Sequence, residues 1–230
     1  MMRPATIAID GPAASGKSTL GYHLAQYLGY LYLDTGVLYR AVTWAALHNR
    51  VPIEDEAAVT HLAQTLDIQV LQPTEDDGRQ YTIRCIGHDI TWAIRSPEVN
   101  HAVSPVSVYP GVRAALTQRM REMATRGSIV MVGRDIGTVV LPDADLKLYV
   151  IASAEARAYR RHIEMLEQGK AITYEAVLEN LKRRDGIDSS RETAPLKAAP
   201  DAVVFDTTQL NIEEMFGEAE RLIDNGRAYV

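Results

Sequence analysis

Residues 11–18 read G-P-A-A-S-G-K-S and satisfy the phosphate-binding loop pattern G-x-x-x-x-G-K-[ST]. Each position has a physical reason. Gly11 and Gly16 let the backbone turn tightly and approach a ligand with no Cβ in the way. Such a loop gathers several backbone N–H groups into one concavity suited to phosphate oxygens. The helix that follows adds its own free N–H groups and the positive end of its dipole. Lys17 can reach β- and γ-phosphates, and the Ser18 hydroxyl can sit on Mg²⁺. The motif requires a strand before it and a helix after it. Ile7, Ala8 and Ile9 supply the first, and Leu20, Leu24 and Leu28 the apolar face of the second. The loop predicts binding of a nucleoside triphosphate and leaves open what is done with it.

Arginine is the second chemical signal. Five of the 24 basic residues are lysine, which leaves 19 arginines. An arginine excess can be compositional bias, and it is also what a phosphate-crowded site would use, because the guanidinium presents a planar fork to phosphate oxygens. Arg40 follows the turn Asp34-Thr35-Gly36, and Arg134 and Asp135 follow an apolar run ending at Val132. Arg157, Arg160 and Arg161 fall at i, i+3 and i+4 and so share a helix face, which in most proteins is an ordinary solvated face.

The elements that must position these groups alternate. Strands are expected near residues 6, 30, 128, 146 and 202, with helices between them, the pattern of an α/β fold with a parallel sheet. Residues 128–132 (SIVMV) and 146–151 form apolar runs expected of strands buried on both faces. Ligands sit at the C-terminal ends of such strands, where Asp34 and Arg40 fall. Residues 68–71 and 81–86 alternate instead, separated by the polar turn PTEDDGR. That predicts a hairpin, with a third short strand near Ile90, inserted into the main fold. Helices are expected from Pro97, from Pro110, after Ser153 and from Thr173 to about Asp185. Gly29 is the expected stop of the first helix, and Asn211 with Glu214 the cap of the last.

Composition excludes several classes. With 230 residues and 47% hydrophobic content the chain can build one good core plus a small subdomain. A net charge of −6 argues against general affinity for nucleic acid or anionic membranes. The single cysteine, Cys85, allows no intramolecular disulfide and is expected in the core. No run of 18 apolar residues predicts a membrane span. A first strand at Thr6 leaves no room for a signal peptide, so a cytoplasmic location is expected.

Taken together, IDGPAASGKST, LDTGVLYRA, PGVRAAL, VGRDIGTVVLPDADLKLYV and RRDGIDSSRETAPL resemble the bacterial-type cytidylate kinases, within the nucleoside monophosphate kinases. The segments run in the family's order from near Thr6 to Phe205. The resemblance implies a five-stranded parallel core flanked by helices (about 1–35, 111–152 and 194–230), a monophosphate-binding region with a β insert (about 36–110), and a helical lid (about 153–193). It implies transfer of phosphate from ATP to CMP and dCMP with Mg²⁺. Gly11, Pro12, Ala13, Ala14, Ser15, Gly16, Lys17, Ser18 and Thr19 would hold ATP, with Ser18 on the metal. Thr35, Arg113 and Arg191 would meet cytosine. Ser104, Arg184 and Asp188 would meet the sugar. Arg40 and Arg134 would hold the CMP phosphate, supported by Tyr39 and Asp135. Arg157, Arg160 and Arg161 would close over the ATP phosphates. The chain departs from the family at Val132, where an acidic residue is usual, and at Ile187, where some relatives carry arginine. A self-contained site makes a monomer the expectation. The residues alone leave two other readings open: a P-loop kinase acting on an alcohol, or a nucleotide-dependent switch. The chain lacks the guanine-reading N-K-x-D motif and carries its own arginines.

Overall fold

The computed structural model describes residues 3–167, 169, 171–190 and 194–224, so Arg191 lies outside the described residues. The chain runs β1 (Thr6–Asp10), α1 (Lys17–Leu28), β2 (Leu31–Asp34), α2 (Gly36–His48), α3 (Glu56–Thr65), β3 (Ile68–Leu71), β4 (Thr82–Cys85) and β5 (His88–Asp89). It continues through α4 (Pro97–Val106), α5 (Pro110–Ala124), β6 (Ile129–Gly133), β7 (Leu146–Ile151), α6 (Ala154–Glu167), α7 (Tyr174–Ser189), β8 (Val203–Asp206) and α8 (Ile212–Asp224). A 3₁₀ turn occupies Ala93–Arg95 and a π-helical turn Ile136–Val140.

Among the described residues the strands form a five-stranded sheet, in the order β2-β6-β1-β7-β8, and a three-stranded sheet, β3-β4-β5. β1 pairs in parallel with β6, Ile9 opposite Val132, and on its other side with β7, Ile7 opposite Leu146. β7 pairs in parallel with β8. This placement explains the apolar runs: Ile7, Ala8, Ile9 and Ile129 through Val132 are wholly buried. Val132, at the position of the family's usual carboxylate, therefore sits in an apolar layer. The smaller sheet is antiparallel throughout.

Contacts divide the chain into two compact units, residues 1–30 with 128–230, and residues 31–127. In the first, α1 packs on β1, β6 and α8, and α6 packs on α7. The Asn211 carboxamide accepts from the Glu214 N–H and the Glu214 carboxylate from the Asn211 N–H, both at 2.9 Å, the reciprocal cap expected from sequence. Gly29 ends α1 in the left-handed region at φ 70°. In the second unit, α3 packs on α5 so closely that a Cβ on Gly111 would come within 2.4 Å of Thr60. Cys85 is fully buried there, and burial pushes its thiol up to about 11, as befits a core residue. Among the described residues no helix is long and apolar enough to cross a membrane.

Three details differ from the sequence expectation. α3 has no counterpart in it, although Asp55 caps the helix by accepting from the Ala58 N–H at 3.0 Å. β5 lies at His88–Asp89 rather than around Ile90, because Ile86 and Gly87 both take positive φ and reverse the chain within two residues. α7 runs to Ser189 rather than about Asp185. Gly186 is accommodated because Asp188, one half-turn on, is drawn into an ion pair with Arg134.

The tightest point of the fold is Gly11, at φ 154°, where a Cβ would lie 2.1 Å from the Val150 carbonyl oxygen of β7. Gly11→Ala is expected to cost about 3 kcal/mol or more, from backbone strain plus the clash with β7. Urea unfolding of the variant beside wild type measures it.

Candidate nucleotide-binding site

A loop that turns its N–H groups toward a ligand turns its C=O groups toward the protein, because each peptide unit is planar and trans. Those carbonyls need donors. The Lys17 ammonium donates to the Pro12 carbonyl at 2.9 Å. The Arg157 guanidinium donates to the Ala13 carbonyl at 3.1 Å. The Thr207 hydroxyl donates to the Ser15 carbonyl at 2.9 Å, and the Leu20 N–H to the Gly16 carbonyl at 2.9 Å. The loop also bends through Ala14 at φ 60°, a left-handed conformation that costs a non-glycine residue energy.

The three arginines of α6 share a helix face but reach different surroundings. Arg157 is only 4% exposed. It forks onto Asp185 of α7 at 3.1 and 2.6 Å and donates to the Ala152 carbonyl at 3.0 Å. Its donors hold the P-loop and α7 together. Arg160 donates to the Thr207 hydroxyl at 3.0 Å and to the Thr207 carbonyl. Arg161 pairs with Glu164 at 2.7 Å.

Two cavities flank the loop. One, of about 410 Å³, is lined by Lys17, Ser18, Arg134, Arg161 and Arg184, with Glu164 its single carboxylate. Burial and the neighbouring Arg134 both lower the Arg184 pKa, opposed by Asp188. Arg134 donates through Nε to Asp188, which is 4% exposed. Asp188 is thus a partner that fixes Arg134. The other cavity, of about 840 Å³, is lined on its apolar side by Leu210, Ile212 and Met215 and bordered by Arg160 and Arg161.

Asp10 ends β1 beside the loop. Its carboxylate is 4% exposed and accepts from the Ile136 N–H at 2.8 Å and the Gly137 N–H at 2.7 Å. It thereby pins the π-helical turn that follows Arg134 and Asp135. Burial pushes its carboxyl up to about 6; the two N–H bonds oppose the rise, Asp135 adds to it and Lys17 lowers it.

In the second unit, Thr35 is 6% exposed at the start of α2. Arg40 donates to the Asn100 carboxamide at 2.6 Å and to the Ile94 carbonyl at 3.2 Å. Burial, then the nearby Arg95, lower the Arg40 pKa, while Asp34 and Tyr81 raise it. Arg95 itself donates to the Tyr81 hydroxyl at 2.8 Å. Arg113 donates to the Ser107 carbonyl at 3.3 Å and stands 5.8 Å from the centre of the Tyr39 ring. Ser104 is exposed on α4.

Four residues escape the sequence reading: Asp10, Arg95, Asp185 and Thr207. Asp10 sits inside the quoted segment IDGPAASGKST, and Asp185 inside RRDGIDSS. Nothing local distinguishes Thr207, whose partners Ser15 and Arg160 are remote in sequence, and Arg95 reaches Tyr81 fourteen residues earlier.

A P-loop opening a helix on a parallel sheet, with arginines of two further helices around it, defines a P-loop kinase. The chain belongs to the cytidylate kinase family, whose profile matches residues 7–225. It is 50% identical over 216 residues to the cytidylate kinase of Herpetosiphon aurantiacus, covering 94% of this chain and 93% of that one. It is 43% identical over 224 residues to the cytidylate kinase of Bacillus licheniformis, covering 97% and 98%. An uncharacterized protein from Eubacterium ventriosum of known structure aligns over 96% of this chain and 98% of its own. Its TM-score of 0.51 at 12% identity is a likeness of fold.

The Asp10 environment makes a pH prediction. Its carboxyl pKa rises from 3.8 unfolded to about 6 folded, so folding disfavours the ionised form. Above about pH 6 both states are ionised and the folded state bears the whole cost, on the order of 3 kcal/mol; below the unfolded value the cost is absent. Wild type should therefore gain stability relative to Asp10→Asn as pH falls from 7 to 4. Urea unfolding of the ligand-free proteins across that range reads it, and a difference that does not vary with pH would mean an ordinary carboxyl.

Proposed function

We propose that this chain transfers the terminal phosphoryl group of ATP to CMP and dCMP, and that its P-loop and surrounding arginines do the work. The observation that carries the reading is the cavity beside the loop, where Lys17, Arg134, Arg161 and Arg184 converge with one carboxylate. Such a space suits an ion with several negative oxygens. The apolar cavity by Leu210, Ile212 and Met215 suits the donor's base.

Phosphoryl transfer asks for positioning and charge stabilisation rather than covalent catalysis. An oxygen of the CMP phosphate attacks the γ-phosphorus, the bond from that phosphorus to the β–γ bridging oxygen breaks, and ADP leaves with the electron pair. The acceptor is largely ionised near neutral pH, since the second pKa of a phosphate is about 6, so no general base is needed. Lys17 and the loop N–H groups neutralise the donor phosphates. Arg160 and Arg161 serve the donor from α6, while Arg157 holds the loop that carries it. Arg134, fixed by Asp188, and Arg40, with Arg95 nearby, bind the acceptor phosphate. Tyr39 and Asp135 support them, and Ser104, Arg184 and Asp188 take the sugar. Residues about 153–193 act as the lid and about 36–110 as the monophosphate-binding region. Closure of the lid excludes water and so limits hydrolysis of ATP.

Mg²⁺ fits the donor set. Among the described residues no group of three or more acidic or imidazole side chains could cage a cation. The Ser18 hydroxyl lines the cavity beside the P-loop lysine. Mg²⁺ is held in this way, by one or two protein oxygens with substrate phosphates and waters. When bound it neutralises phosphate charge.

Base selection follows from donors and acceptors. Cytosine offers O2 and N3 as acceptors and its amine as a donor, and uracil reverses the pattern at N3 and position 4. Arg113 and Arg191 can only donate, which suits N3 and O2 of cytosine, and the Thr35 hydroxyl can accept from the amine.

ATP turnover should appear only when CMP or dCMP is added, and Lys17→Ala should lower it by orders of magnitude without unfolding the chain. A coupled ADP assay with a panel of monophosphates and alcohols measures this. Turnover without acceptor, or with an alcohol alone, would favour the other readings. In the same assay CMP should exceed UMP by a wide margin in kcat/KM. Arg113→Met should narrow that margin by hurting CMP most, because an unmatched buried donor costs about 1–3 kcal/mol. Equal losses for both nucleotides would assign Arg113 to the fold.

A further inference from the structure

Thr207 follows β8 and is wholly buried. Its hydroxyl has three neighbours from three elements: the Ser15 carbonyl of the P-loop at 2.9 Å, the Ile151 carbonyl at the end of β7 at 3.2 Å, and Nη1 of Arg160 on α6 at 3.0 Å. A hydroxyl has one proton and two lone pairs. Arg160 can only donate, so it takes a lone pair, and the proton goes to the nearer carbonyl, that of Ser15. The Thr207 backbone fixes this arrangement from both sides. Its N–H donates to the Ile151 carbonyl at 2.9 Å, and its carbonyl accepts from Nη2 of Arg160.

The Ser15 carbonyl belongs to the same rigid peptide plane as the Gly16 N–H, and the two point in opposite directions. Gly16, at φ 88° and without a Cβ, leaves that plane free to rotate unless something holds it. The Ser15 side chain does not do so: it is wholly buried and its hydroxyl has no hydrogen-bond partner among the described residues.

We propose that Thr207 is a positioning residue that sets the Ser15–Gly16 peptide plane, aims the Gly16 N–H at the donor phosphates, and ties that plane to Arg160 of the lid helix. The proposal rests on the reading of the P-loop as the ATP site. It adds a side chain from the far end of the chain that contacts no substrate and acts through the loop.

The test uses the full-length protein. Thr207→Val keeps the shape and removes the hydroxyl, and Thr207→Ser keeps the hydroxyl. Titration calorimetry gives the ATP dissociation constant, and steady-state rates give KM for ATP and for CMP. Thr207→Val should weaken ATP about five- to tenfold, the scale of one lost hydrogen bond, and leave KM for CMP within about twofold of wild type. Thr207→Ser should restore ATP binding. In an Arg160→Met background, Thr207→Val should weaken ATP by less than in wild type, because the junction is already broken. Unchanged ATP affinity, equal losses for ATP and CMP, failure of Thr207→Ser to rescue, or full additivity with Arg160→Met would each overturn the proposal. If Thr207→Val does not fold, Thr207→Ala carries the same test, leaving space rather than a methyl group against the Ser15 carbonyl. Failure of the underlying reading has a different signature, since wild type itself would then show no ATP binding.

Discussion

The structure depends on satisfying the outward side of one loop. To present N–H groups to phosphate, the P-loop must send its carbonyls into the protein, and a buried carbonyl without a donor is costly. The donors come from within the loop at Lys17, from α1 at Leu20, from α6 at Arg157 and from the end of β8 at Thr207. The loop is therefore a product of the unit that surrounds it. Gly11 adds the steric side of the same constraint, since its Cα lies where β7 leaves no room for a side chain.

Charge is arranged on the same plan. Two half-buried arginine–aspartate contacts, Arg157 with Asp185 and Arg134 with Asp188, reach α7 from different elements. Each cation is thereby oriented before any ligand arrives, which lowers the cost of organising the site when charge moves. The cavity that Arg134 lines keeps an excess of positive charge, and burial and Arg134 both disfavour the charge of Arg184 there. Binding an anion would relieve that repulsion. In the second unit the theme repeats at Arg40, whose charge is disfavoured by burial and by the nearby Arg95.

Much of the architecture was legible because it rests on local rules. Strands were expected near all five positions of the larger sheet, three of them as apolar runs, and alternation marked the inserted hairpin. Ser96, Thr173 and Asn211 announced helix starts that the structure contains, each side chain accepting from an N–H three residues on. The misses have physical reasons. α3 carries only Val59 and Ala63 to the core, too short a stripe to stand out. α7 outran its expected end because a tertiary ion pair at Asp188 outweighed a glycine at 186.

For the site, the sequence by itself determined the parts with fixed spacing: a P-loop with Lys17 and Ser18, arginines at strand ends and on α6, and motifs specific enough to mark the family. Spacing along a chain reports which side chains share a turn or a face, because helix and strand periods are constant. It does not report what a long side chain reaches. Only the tertiary structure decided that three arginines on one face of α6 meet Asp185, Thr207 and Glu164 respectively. The pinning of Asp10 against residues 136 and 137, and of Thr207 against residue 15, joins positions 126 to 192 apart in sequence. Those contacts arise from packing the strands of a parallel sheet side by side, which brings together chain ends that no local pattern connects.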